Sequence, residues 1–412
     1  MPELKPWSVA VIGGGAAGFF AALAGADANP AARLTIFERT AQVLAKVKIS
    51  GGGRCNVTHA CFDPEILAQF YPRGGQELRG PFSRFQPRDT IEWFESRGIA
   101  LKTEVDGRVF PVTDSSQTII DGLVRETQRY RVGVQCGVEL NYIRRRASGD
   151  GFVLCLESGE TIEADRVILA TGSGAQGWEW ARFLGHTIEP PVPSLFTFTL
   201  ADARLEGLSG VSVADAELQI DGTPLRQRGP LLITHVGLSG PAILKLSAWG
   251  ARSLHGAGYR AALRVNWLPR ISSEKVFQQL TALRATQLQK VAPGKNRWGL
   301  PDRLWARLSR AAGLRDGAHW TEVSREKLRA LQQELQNGVF QITGKSPFKE
   351  EFVTCGGIRL DEVDFRTMES KKVPGLYFAG EVLDIDAVTG GFNFQNAWTT
   401  GWIAGRSAVG GG

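Results

Sequence analysis

Cysteine and histidine are scarce in this chain. Its five cysteines (Cys55, Cys61, Cys136, Cys155 and Cys355) are scattered, odd in number and form no C-x-x-C. That argues against a disulfide framework and for a reducing compartment. The five histidines include no H-E-x-x-H and no clustered ligands, so no metal site is expected. No apolar run reaches the roughly 20 residues of a membrane span. The nearest, Val9 to Ala26, is broken by glycines and lacks the basic leader of a signal peptide. A cytoplasmic protein without membrane contact is the expectation. Charge of one sign is weak as well: 48 Lys and Arg against 42 Asp and Glu give +6, with a pI near 9.1. Over 412 residues this is a mild bias, "RRR" (Arg144 to Arg146) reads as a solvated turn, and nucleic acid is not expected as a partner. There is no internal repeat and no low-complexity segment.

Glycine, by contrast, is plentiful, with 49 residues, many of them in three clusters. The first is "SVAVIGGGAAGFFAALAGA" (Ser8 to Ala26), a β-branched run, then Gly13-x-Gly15-x-x-Gly18, then a small-residue helix. Gly13 permits the tight turn, Gly15 lets backbone approach a pyrophosphate, and Gly18 lets the helix pack against the strand. The helix N terminus then faces the phosphates. "RLTIFER" (Arg33 to Arg39) is the expected second strand, and Glu38, 20 residues beyond Gly18, is placed to accept hydrogen bonds from an adenosine ribose. The fingerprint fixes a dinucleotide but does not choose between nicotinamide and flavin.

The second cluster, "KVKISGGGRCNVTH" (Lys46 to His59), makes a poor helix and a poor strand. Its exposed N–H groups, with Lys46, Lys48 and Arg54 alongside, suit a phosphate or the carbonyl edge of a ring. "GFVLCLESGETIEADRVILATGS" (Gly151 to Ser173) reads as a hairpin followed by a buried strand that turns at Thr171-Gly172. The third cluster chooses the cofactor. In "VPGLYFAGEVLDIDAVTGGFNFQNAWTTGWIAGRSA" a strand ends at Gly380-Glu381, a carboxylate placed for ribitol hydroxyls, and a helix starts near Asn393. Its positive end would face a flavin pyrimidine. A nicotinamide domain has no use for such a distal element, so FAD is the expected cofactor.

Taken together, "GGGAAG", "KISGGGRCN", "GRVFP" (Gly107 to Pro111), "THVGLSGPAIL" (Thr234 to Leu244) and the C-terminal motif resemble the BaiN/YhiN-like FAD-dependent oxidoreductases, among them aminoacetone oxidase-like flavoproteins, from Val9 to about Gly405. The resemblance implies an α/β fold: a glutathione-reductase-type, Rossmann-like FAD domain formed by both chain ends, with a β-rich plus helical insertion. It implies FAD contacts at Gly13, Gly15, Ala17, Gly18, Glu38, Lys46, Ser50, Gly51, Gly52, Gly53, Arg54, Cys55, Asn56, Thr171, Gly172, Gly380, Glu381, Gly390, Gly391, Phe392 and Asn393. Leu140, in "LNYI", takes the position whose backbone meets adenine. Ala387 stands where family members often carry Gly, which bears on the turn it occupies.

Expected boundaries are 1–190 with 350–412 for the FAD domain and 191–349 for the insertion, β-rich over 191–269 and helical over 270–349. "EPPVPS" (Glu189 to Ser194) reads as a hinge, Asp221-Gly222 as a hairpin turn, and Trp305 as core. No second G-x-G-x-x-G is present, so NAD(P)H is expected only as a transient electron donor. A Cys-x4-Cys redox pair is absent too. His235, between a strand and a Gly-rich turn, is the candidate proton donor. The leading expectation is an FAD-dependent oxidoreductase of a small organic substrate, NAD(P)H-linked. An oxidase reduced by its own amine or hydroxy substrate, an RNA-modifying flavoprotein and a non-turnover sensor stay open, and oligomeric state is not read.

Overall fold

The computed structural model describes residues 6–286, 296–346 and 353–410. The chain divides into two compact units, Met1–Pro191 with Thr354–Gly412, and Val192–Val353. The expected second boundary, at 349/350, lies outside the described residues.

In the first unit, five parallel strands run in the order Gly133–Cys136, Arg33–Glu38, Ser8–Ile12, Arg166–Leu169 and Leu376–Phe378. Antiparallel Glu369–Ser370 and Val363–Asp364 extend one side. Val9, Val11, Ile12, Ile36, Ile168 and Leu169 are buried, the near-continuous apolar pattern of strands covered on both faces. Register fixes where the motifs fall. Ile12 stands opposite Phe37 and Leu169, and Leu169 opposite Phe378. Four strands therefore end level, and the segments after them share the carboxyl edge, where open α/β sheets bind ligands.

Two helices from opposite chain ends pack together: the N-terminal helix Ala16–Ala28 and the C-terminal helix Phe392–Ala408. Glycine lets their backbones approach. A Cβ on Gly401 would lie 2.6 Å from the Ala17 carbonyl oxygen, and one on Gly405 only 1.9 Å from that of Ala21.

The second unit holds a seven-stranded antiparallel sheet, in the order Gly338–Ile342, Ala261–Asn266, Ser212–Ile220, Arg226–Ile233, Gly237–Ser239, Phe198–Thr199 and Gly344–Lys345. Helices Ser273–Thr286, Asp302–Ala311 and Arg325–Asn337 follow in the chain, the last capped by the Ser324 hydroxyl on the Lys327 N–H at 3.2 Å. Trp267, Trp305 and Phe340 are buried in its core.

Three expectations need correction. "EPPVPS", inside which the boundary between the two units falls, is not an irregular break but part of a strand, Ile188–Ser194, paired with Val353–Ile358; a two-stranded ladder leaves a free side for residues without N–H. The helical stretch contains the strands Gly338–Ile342 and Gly344–Lys345, because Val339, Phe340 and Ile342 pair with Ala261–Val265. Arg144 and Arg145 end the strand Leu140–Arg145 rather than forming a turn, and Arg146 pairs with Glu163 and Asp165.

Candidate cofactor site

The first strand ends at Ile12, and the N–H of the next residue, Gly13, donates to the Phe37 carbonyl at 2.9 Å. Gly13 has φ +113, and a Cβ there would sit 2.4 Å from the Ala170 oxygen. At Gly18 a Cβ would sit 1.9 Å from the Gly13 oxygen, so both positions require glycine for protein packing. Gly15 is different: a Cβ there meets nothing within 4 Å. Gly15 caps the N-terminal helix without any side-chain hydrogen bond, and no acidic residue occupies the first turn. The unsatisfied N–H groups of that turn can accept an anion.

Glu38 sits beside this turn, its Oε2 accepting from the Gly14 N–H at 2.8 Å and its Oε1 from the Thr40 N–H and hydroxyl, both at 2.8 Å. The segment leading to Leu140 runs alongside, with the Val138 N–H donating to the Glu38 carbonyl at 3.0 Å. The Leu140 side chain is buried, which leaves only its backbone for a ligand.

From the other strand ends come Thr171-Gly172 and Gly380-Glu381. Lys46 Nζ lies 2.6 Å from Glu381 Oε2 and donates to Ser173 Oγ at 3.1 Å. Glu381 Oε1 accepts from the Thr354 N–H. A Cβ on Gly172 would lie 3.7 Å from Glu381 Oε2 and 3.9 Å from Lys46 Nζ. Gly380 touches the first helical turn, since a Cβ there would be 2.8 Å from the Ala17 Cβ. Thr171 Oγ1 is buried without a partner.

The second glycine cluster enters on a helix, Ala45–Gly53, yet helical backbone stops before Ser50, which has ψ 149. Gly51, Gly52 and Gly53 follow with φ +57, +68 and +84, and a Cβ on either of the last two would meet nothing within 4 Å. Side chains of this cluster turn to the protein. Ser50 Oγ donates to the Val47 carbonyl. Arg54 stacks 4.0 Å over the Phe110 ring and bonds Glu104 at 2.7 Å, and that bond raises its pKa. Cys55 is fully buried, and burial pushes its thiol up to about 12. With its amide turned to suit its neighbours, Asn56 donates to the Thr58 carbonyl and accepts from the Gly391 N–H at 2.9 Å.

That bond ties the second cluster to the third. Gly390 and Gly391 have φ +131 and +93, and Gly391 caps the C-terminal helix with no side-chain hydrogen bond and no acid in the first turn. Phe392 is buried and stacks on Phe70 at 4.3 Å and on His59 at 4.6 Å. The Asn393 amide grips Ala387 at both backbone groups, 2.9 Å to N and 3.1 Å to O. Ala387 is buried and outside the left-handed region, so a Cβ is accommodated in this turn.

Two features were not singled out from sequence. His59 closes the second cluster against Phe392, its Nε2 3.1 Å from the Asp106 carbonyl. Arg73 forms a two-pronged ion pair with the fully buried Asp386, pinning the segment before Gly390. His235, in the second unit, occupies the exposed turn between Arg226–Ile233 and Gly237–Ser239. Thr234 Oγ1 makes the hydrogen bonds of that turn, to the Val236 and Gly237 N–H groups.

A parallel sheet whose first strand runs through a glycine turn into an uncapped helix, with the carboxylate of Glu38 against that turn, is the form of a Rossmann-type, FAD-binding oxidoreductase. Residues 7–407 match the model described as the HI0933-like protein Rossmann domain, and the chain belongs to that family of flavoproteins. It is 31% identical to the ribosomal RNA dihydrouridine synthase of Escherichia coli, over 98% of this chain and 99% of that one. It is 29% identical to the 3-dehydro-bile acid delta(4,6)-reductase of Clostridium scindens, over 97% of this chain and 98% of the relative. Among solved structures it is similar to the 3-ketosteroid-delta4-(5alpha)-dehydrogenase of Rhodococcus jostii RHA1, with TM-score 0.51 and 15% identity over 99% and 98% of the two chains. No described helix is long and apolar enough to cross a membrane.

The residues present fit FAD. The open face of Gly15, the uncapped first turn and the unpartnered Thr171 hydroxyl suit a pyrophosphate-bearing cofactor.

Proposed function

We propose that this protein is an NAD(P)H-linked, FAD-dependent reductase that saturates a carbon–carbon double bond conjugated to a carbonyl. The observation that best supports it is that two helices from opposite chain ends, each with an N terminus that no side chain caps, run side by side at the core of the first unit, Ala17 against Gly401 and Ala21 against Gly405. When bound, FAD supplies the hydride chemistry. Backbone N–H groups of the N-terminal helix would hold the pyrophosphate, Glu38 the adenosine ribose and Glu381 the ribitol. The C-terminal helix would present its positive end to the pyrimidine. In the second cluster the contacts would come from the backbone of Gly51–Gly53 rather than from Arg54, Cys55 or Asn56.

The reaction class rests on what two relatives share. One is named for reducing a 3-dehydro-bile acid at delta(4,6), the other for making dihydrouridine in ribosomal RNA. Both names describe removal of a double bond conjugated to a carbonyl; in this protein NAD(P)H would supply the hydride, becoming NAD(P)⁺, and an acidic group of the protein the proton. We assign the proton to His235, whose turn does not depend on the imidazole for its hydrogen bonds. The acceptor is a small unsaturated carbonyl compound or a uracil in RNA, the second supported by the two relatives named for ribosomal RNA. Five free cysteines, two of them not buried, support action in a reducing cytoplasm.

The test is reoxidation without oxygen. Protein reduced with dithionite is mixed with a conjugated enone, an RNA containing uridine, a saturated ketone or an isolated alkene. The reading expects the oxidised flavin band to return, one equivalent per double bond, with the enone or the RNA alone. If neither restores it, while amines or hydroxy compounds bleach the oxidised protein, the oxidase reading takes its place.

A further inference from the structure

The second unit carries the basic excess of the chain: residues 192–353 hold 22 Lys and Arg against 13 Asp and Glu, the remainder 26 against 29. Within it, residues 275–315 hold nine Lys and Arg and a single acid, Asp302. This stretch includes the helix Asp302–Ala311. Leu304, Trp305 and Leu308 bury one side of that helix in the core. Arg303, Arg307 and Arg310 follow one another at intervals of four and three, the spacing of a single helix face.

Between that face and residues 206–208 lies a groove of about 300 Å³, lined by all three arginines. They differ in what they do there. Arg303 donates from Nη2 to the Gly207 carbonyl. Arg310 forms a two-pronged pair with Asp316, Nε and Nη2 each at 2.8 Å, which leaves its Nη1 over. Arg307 comes between them in sequence, its Nη2 3.9 Å from where a Cβ on Gly207 would lie. It is half-buried, yet among the described residues it has no ion pair and no hydrogen bond. A guanidinium drawn out of water brings five N–H donors that protein or ligand must satisfy. Two carboxylates border the groove, Glu206 and Asp302, but neither is paired with an arginine among the described residues. Asp302 opens the helix, where the helix dipole favours a negative charge.

We propose that this groove is a phosphate site, with Arg307 as its central ligand and the remaining N–H groups of Arg303 and Arg310 beside it. A phosphate offers three acceptor oxygens to guanidinium forks arriving from one side, whereas a single fork saturates a carboxylate. The phosphate is that of an RNA backbone or of a free nucleotide. All the lining residues belong to the second unit and the site needs no flavin, so it goes beyond the reductase reading and does not depend on it.

The experiment uses the full-length, FAD-loaded protein and two probes. A fluorescent oligouridylate of about 20 nucleotides is followed by anisotropy, and UMP by calorimetry, from about 50 to 300 mM salt. Arg307→Met keeps the aliphatic stem and removes the charge. It should melt no lower than the wild type, since no protein partner of the guanidinium is lost. It should weaken whichever probe binds at least about tenfold. With RNA it should also flatten the plot of log K against log salt by about 0.7, the share of one phosphate contact on a single strand. Arg79→Met, which removes equal charge from the helix Gly75–Arg84 of the first unit, should do neither. Oligouridylate that excess UMP does not displace assigns the groove to backbone phosphates. UMP binding that Arg307→Met abolishes assigns it to a free phosphate ester, and either result supports the site. The proposal is overturned if neither probe binds the wild type, or if Arg307→Met changes binding no more than Arg79→Met does. Displacement of the probes by glutarate as readily as by inorganic phosphate would overturn it too. So would an Arg307→Met protein that melts well below Arg79→Met without ligand, because the arginine would then be structural.

Discussion

Gly15 and Gly18 lie three positions apart in one fingerprint but answer to different demands. At Gly18 the neighbour is protein, the Gly13 oxygen 1.9 Å from any added Cβ. At Gly15 no protein atom lies within 4 Å. Gly18→Ala should therefore destabilise the apoprotein by about 3 kcal/mol through overpacking. Gly15→Ala should leave the melting temperature of the apoprotein nearly unchanged and weaken FAD binding on the order of tenfold, ~1.4 kcal/mol. Thermal unfolding of stripped protein together with a cofactor titration separates the two. The same contrast governs Cys55, whose neighbourhood in sequence suggested a cofactor contact. Burial raises its thiol to about 12 from 9.0, so between these values the unfolded chain loses a proton that the folded chain keeps. Stability then falls as pH rises from 9 toward 12. A Cys55→Ala variant should show a shallower alkaline decline in denaturant midpoint, and iodoacetamide at pH 8 should label exposed Cys136 long before Cys55. The turns at Gly13 and Gly18 were legible because their spacing encodes a backbone path. His59 was not, since its stacking partner Phe392 lies at the far end of the chain.

Among elements, the two chain ends are joined by the glycine contact between the N-terminal and C-terminal helices. Gly405→Ala would place a methyl 1.9 Å from the Ala21 oxygen, and helix backbones have no flexible end with which to yield. The variant should unfold at least about 2 kcal/mol more easily. It should also lose FAD, because the same displacement separates Gly380 from Ala17. Gly405→Ser, barely larger than alanine, should behave alike, whereas a protein that tolerates both would show that the helices are not in such contact. The C-terminal helix could be placed from sequence to within a few residues because the glycine pair Gly390-Gly391 marks its start and no proline interrupts the long run that follows. Gly338–Ile342 could not. Five residues carry little period, and this strand is defined by its partner Ala261–Asn266 rather than by its own composition. The proline-rich strand Ile188–Ser194 was illegible for a related reason: prolines signal a break except where one side of a ladder is free.

In the molecule as a whole, the second unit is inserted between two strands that pair with one another, Ile188–Ser194 and Val353–Ile358. A Cβ on Gly356 would lie 2.6 Å from the Pro190 oxygen, so entry and exit of the insertion are adjacent. Replacing residues 193–352 by a short Gly-Ser loop should therefore leave a yellow, cooperatively unfolding protein. Residues 192–353 alone should fold around the core of Trp267, Trp305 and Phe340 without binding FAD. Absorbance spectra and thermal melts of the two fragments check this, and a colourless first fragment would count against the assignment of all cofactor contacts to the first unit. The central claim, electrons passing from a nicotinamide to this flavin edge, has a more direct test. The purified protein is titrated anaerobically with NADPH and NADH while the flavin absorption band is watched. Stoichiometric bleaching within seconds is the predicted result. A flavin band that persists through excess of both nucleotides would contradict the account.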